Sequence, residues 1–158
     1  MSDRYDVQQV CENGHQITGC YNISPEKRQK YCQKCGASTI ITCRDCGENI
    51  PGERIELDDW DGTVEIADVP SYCHNCGKPY PWTKNKIETA IQILTEYGNL
   101  DDQEKKTIEQ DINNIAKDIP QAELSAMRIK RIWDKCSAAG YEVIMEFASR
   151  TAAKILKD

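Results

Sequence analysis

A chain of 158 residues with nine cysteines, a single Phe and a formal net charge of −6 has room for one ordinary domain or two small ones. No N-terminal apolar run has the form of a signal peptide, and no stretch reaches the roughly 18 apolar residues of a membrane span. The expected setting is therefore cytoplasmic, without membrane, and the acidic balance (−5 over residues 1–82, −1 over residues 83–158) argues against a general polyanion binder.

Residues 5–10 have the composition of a strand. They lead into Cys11-x3-His15, where Asn13 and Gly14 supply a tight turn. Residues 16–22 return as a second strand holding Cys20, and Ser24 with Pro25 signals a helical turn with Ser24 as N-cap. Cys32-x2-Cys35 follows, then a β-branched run over 38–42 that feeds into Cys43-x2-Cys46. Ile55, Leu57, Val64 and Ile66 alternate with polar residues around Asp61 and Gly62, a hairpin signal, before Cys73-x2-Cys76. Residues 79–82, with Pro79 and Pro81, read as a rigid hinge.

The pattern then becomes helical. Thr83 is placed to cap a helix with Ile87, Ala90, Ile91 and Leu94 on one face, ending near Gly98. Asp101 and Glu104 have the spacing of a capping box for a helix carrying Ile108, Ile112, Ile115 and Ile119. Pro120 opens a third, with Ala126, Ile129, Trp133 and Cys136 aligned. Gly140 is expected to break it from a fourth carrying Ile144, Phe147, Ala148, Thr151 and Ile155. The result is a bundle of three or four helices.

The cysteines carry the chemistry. Eight of nine precede residue 77, in a half too poor in large aliphatic residues to fold on packing alone. A C-x-x-C pair bends the backbone into a knuckle whose sulfurs point at one ion, and two knuckles close a tetrahedron around zinc. The sets are Cys11, His15, Cys32 and Cys35, then Cys43, Cys46, Cys73 and Cys76. Cys20 competes with His15 for a place in the first, but it lies in a predicted strand, where it packs as a small buried residue. His74 is expected on the surface because four thiolates already complete the second set. Cys136 reads as an inert core thiol.

The expected architecture is α+β: a tandem zinc-ribbon region over 1–82 (sites within 5–42 and 43–82), followed by a helical bundle over 83–158. The expected cofactors are two structural Zn²⁺ ions. No nucleophile–base pair, paired carboxylates or phosphate loop stands out, so the function expected is a non-enzymatic adaptor with another protein as partner. Two basic clusters, Lys27, Arg28, Lys30 and Lys34, and Arg128, Arg131 and Lys135, make a nucleic-acid-binding regulator the alternative.

Two resemblances bear on this. Paired C-x-x-C-G knuckles resemble rubredoxin, an iron electron carrier. The second knuckle of the later set, however, lacks the Pro usual after its first cysteine, and the histidine of the sister site points to zinc. Residues 5–15 (YDVQQVCENGH), 31–36 (YCQKCG) and 42–47 (TCRDCG) together resemble an uncharacterised bacterial family, a domain of unknown function with tandem zinc-binding motifs, over about residues 4–82. That resemblance implies bacterial origin, zinc and cytosolic residence, and carries no activity.

Overall fold

The structure is a computed structural model and describes residues 4–55, 67–135 and 138–157. The expected hairpin around Asp61 and Gly62, with Leu57, Val64 and Ile66, lies outside the described residues, as does Cys136. Among the described residues the fold is α+β, with small antiparallel sheets first and five α-helices after. The chain divides into two compact units, the first ending at Thr83 and the second starting at Lys84.

In the first unit, β1 (Arg4–Val7) pairs antiparallel with β5 (Pro51–Ile55), and β2 (Gln9–Cys11) lies between β3 (Gln16–Thr18) and β4 (Thr39–Ile40). The continuous strand expected over 5–10 is interrupted at Gln8. This buried residue donates its amide to Ile50 O (3.0 Å) and its side-chain Nε2 to Pro51 O (2.6 Å), so it serves neither ladder and turns the chain from one sheet to the other. Gly52 lets the segment around Gly19 lie against β5: Glu53 N donates to Gly19 O (2.9 Å), and a Cβ on Gly52 would come within 2.7 Å of the Val7 carbonyl carbon. The second strand ends at Thr18, so Cys20 falls beyond it rather than within it.

Three knuckles share one plan. Gly36, Gly47 and Gly77 donate to the carbonyls of Cys32, Cys43 and Cys73 at 2.8, 2.9 and 2.8 Å. The amides of those cysteines donate to Ala37, Glu48 and Lys78, and each knuckle is flanked by an isolated β-bridge: Tyr31 with Ser38, Thr42 with Asn49, Tyr72 with Pro79. The unit's core is small and includes two of the sulfurs: Val10, Cys43, Ile50, Cys73, Tyr80 and Trp82. Tyr80 and Trp82, expected in a hinge, are core residues whose rings stack with centroids 4.7 Å apart.

Helix α1 (Pro81–Tyr97) starts at Pro81, so Thr83 lies inside it rather than capping it. Pro suits the first turn because the amide it lacks would have had no intrahelical partner. In the second unit, α2 (Asp102–Ile115) opens with the expected capping box. Glu104 N donates to Asp101 Oδ1 (2.8 Å), and Asp101 N donates to Glu104 Oε2 (3.0 Å). α3 (Gln121–Arg131) packs on α2 and α5, and a 3₁₀ turn at Trp133–Lys135 follows it.

Gly140 does not break a helix. It is buried inside α4 (Ala138–Phe147), and the break comes at residues 148–149, before α5 (Arg150–Lys157). There Ser149 N donates to Ile115 O at the end of α2 (2.7 Å), satisfying a carbonyl left without an intrahelical partner. The break also resets the helical phase: Ala152 and Leu156 are buried, whereas Thr151 is exposed and Ile155 half-buried. Ile87, Leu94, Ile108, Ile112, Ile115, Ile129 and Ile144 form the core of this unit. Among the described residues no helix is long and apolar enough to cross a membrane.

Candidate metal centres

Each set of four donors is assembled from two turns distant in sequence. β2 delivers Cys11 at its end, and a turn brings His15 back to it: Gly14 N donates to Cys11 O (2.9 Å) and Cys11 N to His15 O (3.0 Å). β4, paired to β2 through Cys11 and Thr39, holds the Cys32 knuckle opposite. In the second set, two knuckles of the same plan face each other across the core residues Cys43 and Cys73.

In both sets all four ligand atoms lie within 4.8 Å of one another. Cys11 Sγ is 3.7 Å from Cys35 Sγ, and His15 Nδ1 is 3.5 Å from Cys11 Sγ and 3.6 Å from Cys32 Sγ. The other set has Cys43 and Cys76 sulfurs at 3.8 Å and Cys46 and Cys73 sulfurs at 3.7 Å. A disulfide would bring sulfurs to about 2.05 Å, so these are separate thiols. A tetrahedral ion with bonds of about 2.3 Å to sulfur and about 2.0–2.1 Å to nitrogen sets the donor edges at roughly 3.8 Å for S···S and roughly 3.6 Å for S···N. The observed separations fit that tetrahedron, and His15 offers Nδ1 to it.

Backbone and side-chain donors are aimed at the sulfurs. His15 N reaches Cys11 Sγ at 3.2 Å, and Asn13 Nδ2 reaches Cys35 Sγ at 3.4 Å. The Ala37 amide, then the Asn13 side chain, holds Cys35 down to about 6; the Cys76 and Asn75 amides hold Cys73 down to about 6. Cys76 goes the other way, to about 12: the Lys78 amide lowers it, but desolvation and the three neighbouring sulfurs together raise it. Burial likewise raises Cys11. Donors that favour thiolate, set among sulfurs that cannot all ionise together, describe a site balanced by a cation. The amide reaching the last sulfur of a knuckle belongs to the residue after the glycine, Ala37 or Lys78.

Two ion pairs tie the knuckles together. Arg44, between Cys43 and Cys46, pairs with Glu12, between Cys11 and His15. Lys78 Nζ pairs with Asp45 Oδ1 at 2.9 Å. Both are largely solvent-accessible, with only Glu12 half-buried, and contribute little energy individually.

Cys20 stands outside both sets. Its thiol donates to Glu53 Oε2 at 2.6 Å, and burial, followed by the Glu53 carboxylate, pushes it up to about 11, which suits a thiol rather than a ligand. His74 is exposed and also outside the sets. Of the basic clusters, Arg128 pairs with buried Asp111 (3.4 Å) and Lys135 with Glu104 (2.7 Å), while Arg131 is exposed. Arg28 and Lys30 lie over tyrosine rings. Asn13 and Glu53 escaped the sequence reading. Asn13 was legible only as a turn residue, and nothing in sequence joins Glu53 to Cys20, 33 positions away.

The chain belongs to a bacterial family described as "uncharacterized protein conserved in bacteria" (DUF2321), whose model matches residues 4–156. The match takes in the helical unit as well as the cysteine-rich one, so the family extends well past the 4–82 over which the motifs resemble it. Neither a curated protein nor a solved structure matches the chain.

Proposed function

For this family member we propose a zinc-stabilised, non-enzymatic binding module of the cytoplasm, with two structural Zn²⁺ ions in the first unit and another macromolecule as its partner. The observation that carries the reading is the convergence of four protein donors in each set, the number that fills a tetrahedral shell as structural zinc sites do. Cys11, His15, Cys32 and Cys35 would hold one ion; Cys43, Cys46, Cys73 and Cys76 would hold the other. Three cysteines and a histidine are a structural zinc set, and the other set lacks the Pro that rubredoxins show after the first cysteine of the second knuckle, so zinc is favoured over iron in both. When bound, the ions supply cross-links in place of a large apolar core. The turns between ligands are then held as rigid exposed loops on which a partner docks.

Chelation tests the reading. Structural zinc in small peptides binds with an apparent ~10–16 kcal/mol, comparable to the stability of a whole domain. Metal removal should therefore abolish amide-exchange protection in β2 and β4 while α2 and α3 keep theirs. Protection of β2 surviving in metal-free protein would overturn the proposal.

A further inference from the structure

We propose that residues 20–38 of the first unit form a binding surface for single-stranded nucleic acid. This names a partner class for the binding module proposed above and rests on that reading.

Charge within the first unit is segregated. Residues 20–38 contain Lys27, Arg28, Lys30 and Lys34 against one acid, Glu26, for a net of +3, whereas the rest of residues 1–82 carries −8. Allowing one net negative charge for a divalent cation held by three thiolates and an imidazole, the segment remains positive. All four cations are exposed. Four exposed cations against one acid concentrate positive potential on this stretch, which attracts a polyanion to it.

Two aromatic rings lie beside those cations. The Arg28 guanidinium lies 4.1 Å from the centre of the Tyr21 ring, and its Nε donates to Tyr21 O at 2.8 Å. Lys30 Nζ is 5.6 Å from the centre of the Tyr31 ring, which is 56% exposed immediately before the Cys32 knuckle. An accessible ring beside a cation can stack on a base while the cation meets its phosphate. A purely acidic protein segment would use the cations and leave the rings idle, so the combination favours nucleic acid.

The surface is held in place. Gln29 N donates to Gln9 Oε1 (3.1 Å), and Gln9 Nε2 donates to Gln29 O (2.7 Å). The amides of Asn22 and Ile23 donate to the Asp6 carboxylate at 3.1 Å each. Little ordering cost is left for binding. The segment's only helical element is one turn at Pro25–Lys27, too short to read a major groove, and a base must be unpaired to stack on Tyr31.

The test is fluorescence anisotropy of a labelled oligouridylate with the full-length, metal-loaded chain over a salt series. Four cations predict a log–log salt slope of roughly −2 to −3, at about 0.7 per phosphate contact. Tyr31→Ala should weaken binding about tenfold or more and Tyr31→Phe should restore it. Lys34→Ala should flatten the slope by about 0.7, and Arg131→Ala, in the other unit, should leave binding unchanged. Any of three results overturns the proposal: no binding at low salt, unaltered affinity in Tyr31→Ala, or heparin bound as tightly and indifferent to Tyr31→Ala, the signature of bare charge and so of an acidic protein partner. Counting metal in the same samples separates the two readings. Two ions retained without oligouridylate binding sinks this inference alone, whereas missing ions sink the zinc-stabilised module beneath it.

Discussion

Trp82 closes the space beside Gly14: a Cβ on Gly14 would lie 3.0 Å from Trp82 Cβ and 3.1 Å from its Cγ. The indole is itself fixed, stacked on Tyr80 and donating Nε1–H to Pro70 O at 2.8 Å. Gly14 also has a φ of 87°, in the left-handed region. The turn carrying His15 thus needs glycine for two reasons, backbone conformation and contact with a ring that cannot move away.

Gly14→Ala should therefore destabilise the first unit by more than the ~1–3 kcal/mol of left-handed strain alone. Gly36→Ala is the internal comparison, because Gly36 has a φ of 71° and nothing within 4 Å of its Cβ position. Thermal unfolding of both metal-loaded variants should rank Gly14→Ala below Gly36→Ala. Equal midpoints would show that the Trp82 contact contributes nothing.

The Cys20–Glu53 contact sets a pH dependence. Folding raises this thiol from 9.0 to about 11, through burial first and Glu53 second, so the protonated form is favoured in the folded chain. The resulting stabilisation is complete below about pH 9 and is lost as pH rises through about 11. Glu53→Gln should lower the thiol's pKa and speed iodoacetamide labelling of Cys20 at mildly alkaline pH, read by peptide mass mapping. Cys20→Ser should retain both metal ions, since its sulfur lies in neither donor set.

In the second unit the buried Asp111 carboxylate accepts from Ser125 Oγ (2.7 Å), which in turn accepts from Asn114 Nδ2 (3.1 Å). Ser125→Ala removes the shorter donor from a group 2% exposed, and should cost about 1–3 kcal/mol. Amide exchange in α2 and α3 should rise in this variant while β2 is unaffected. A uniform change across both units would contradict so local an effect.

The donor sets were legible because the ligand atoms sit at short sequence intervals whose turn geometry is local: two residues between knuckle cysteines, and Asn13 and Gly14 before His15. The capping box at Asp101 and Glu104 was legible for the same reason. Features depending on distant partners were not. Gln8 looks like a strand residue, and only the carbonyls of Ile50 and Pro51 show why it leaves the ladder. Gly140 weakens a helix locally, yet tertiary burial keeps it inside α4, and the break falls where Ser149 can reach Ile115. Tyr80 and Trp82, on either side of Pro81, read as part of a rigid hinge in sequence, whereas they complete a core otherwise short of large side chains.

Native mass spectrometry of the full-length chain, purified under reducing conditions and compared before and after denaturation, tests the central claim most directly. The account predicts two zinc ions per chain in the native spectrum, both lost on denaturation, with every cysteine then recovered as free thiol. Fewer than two ions on a folded chain, or cysteines recovered as disulfides, would contradict it.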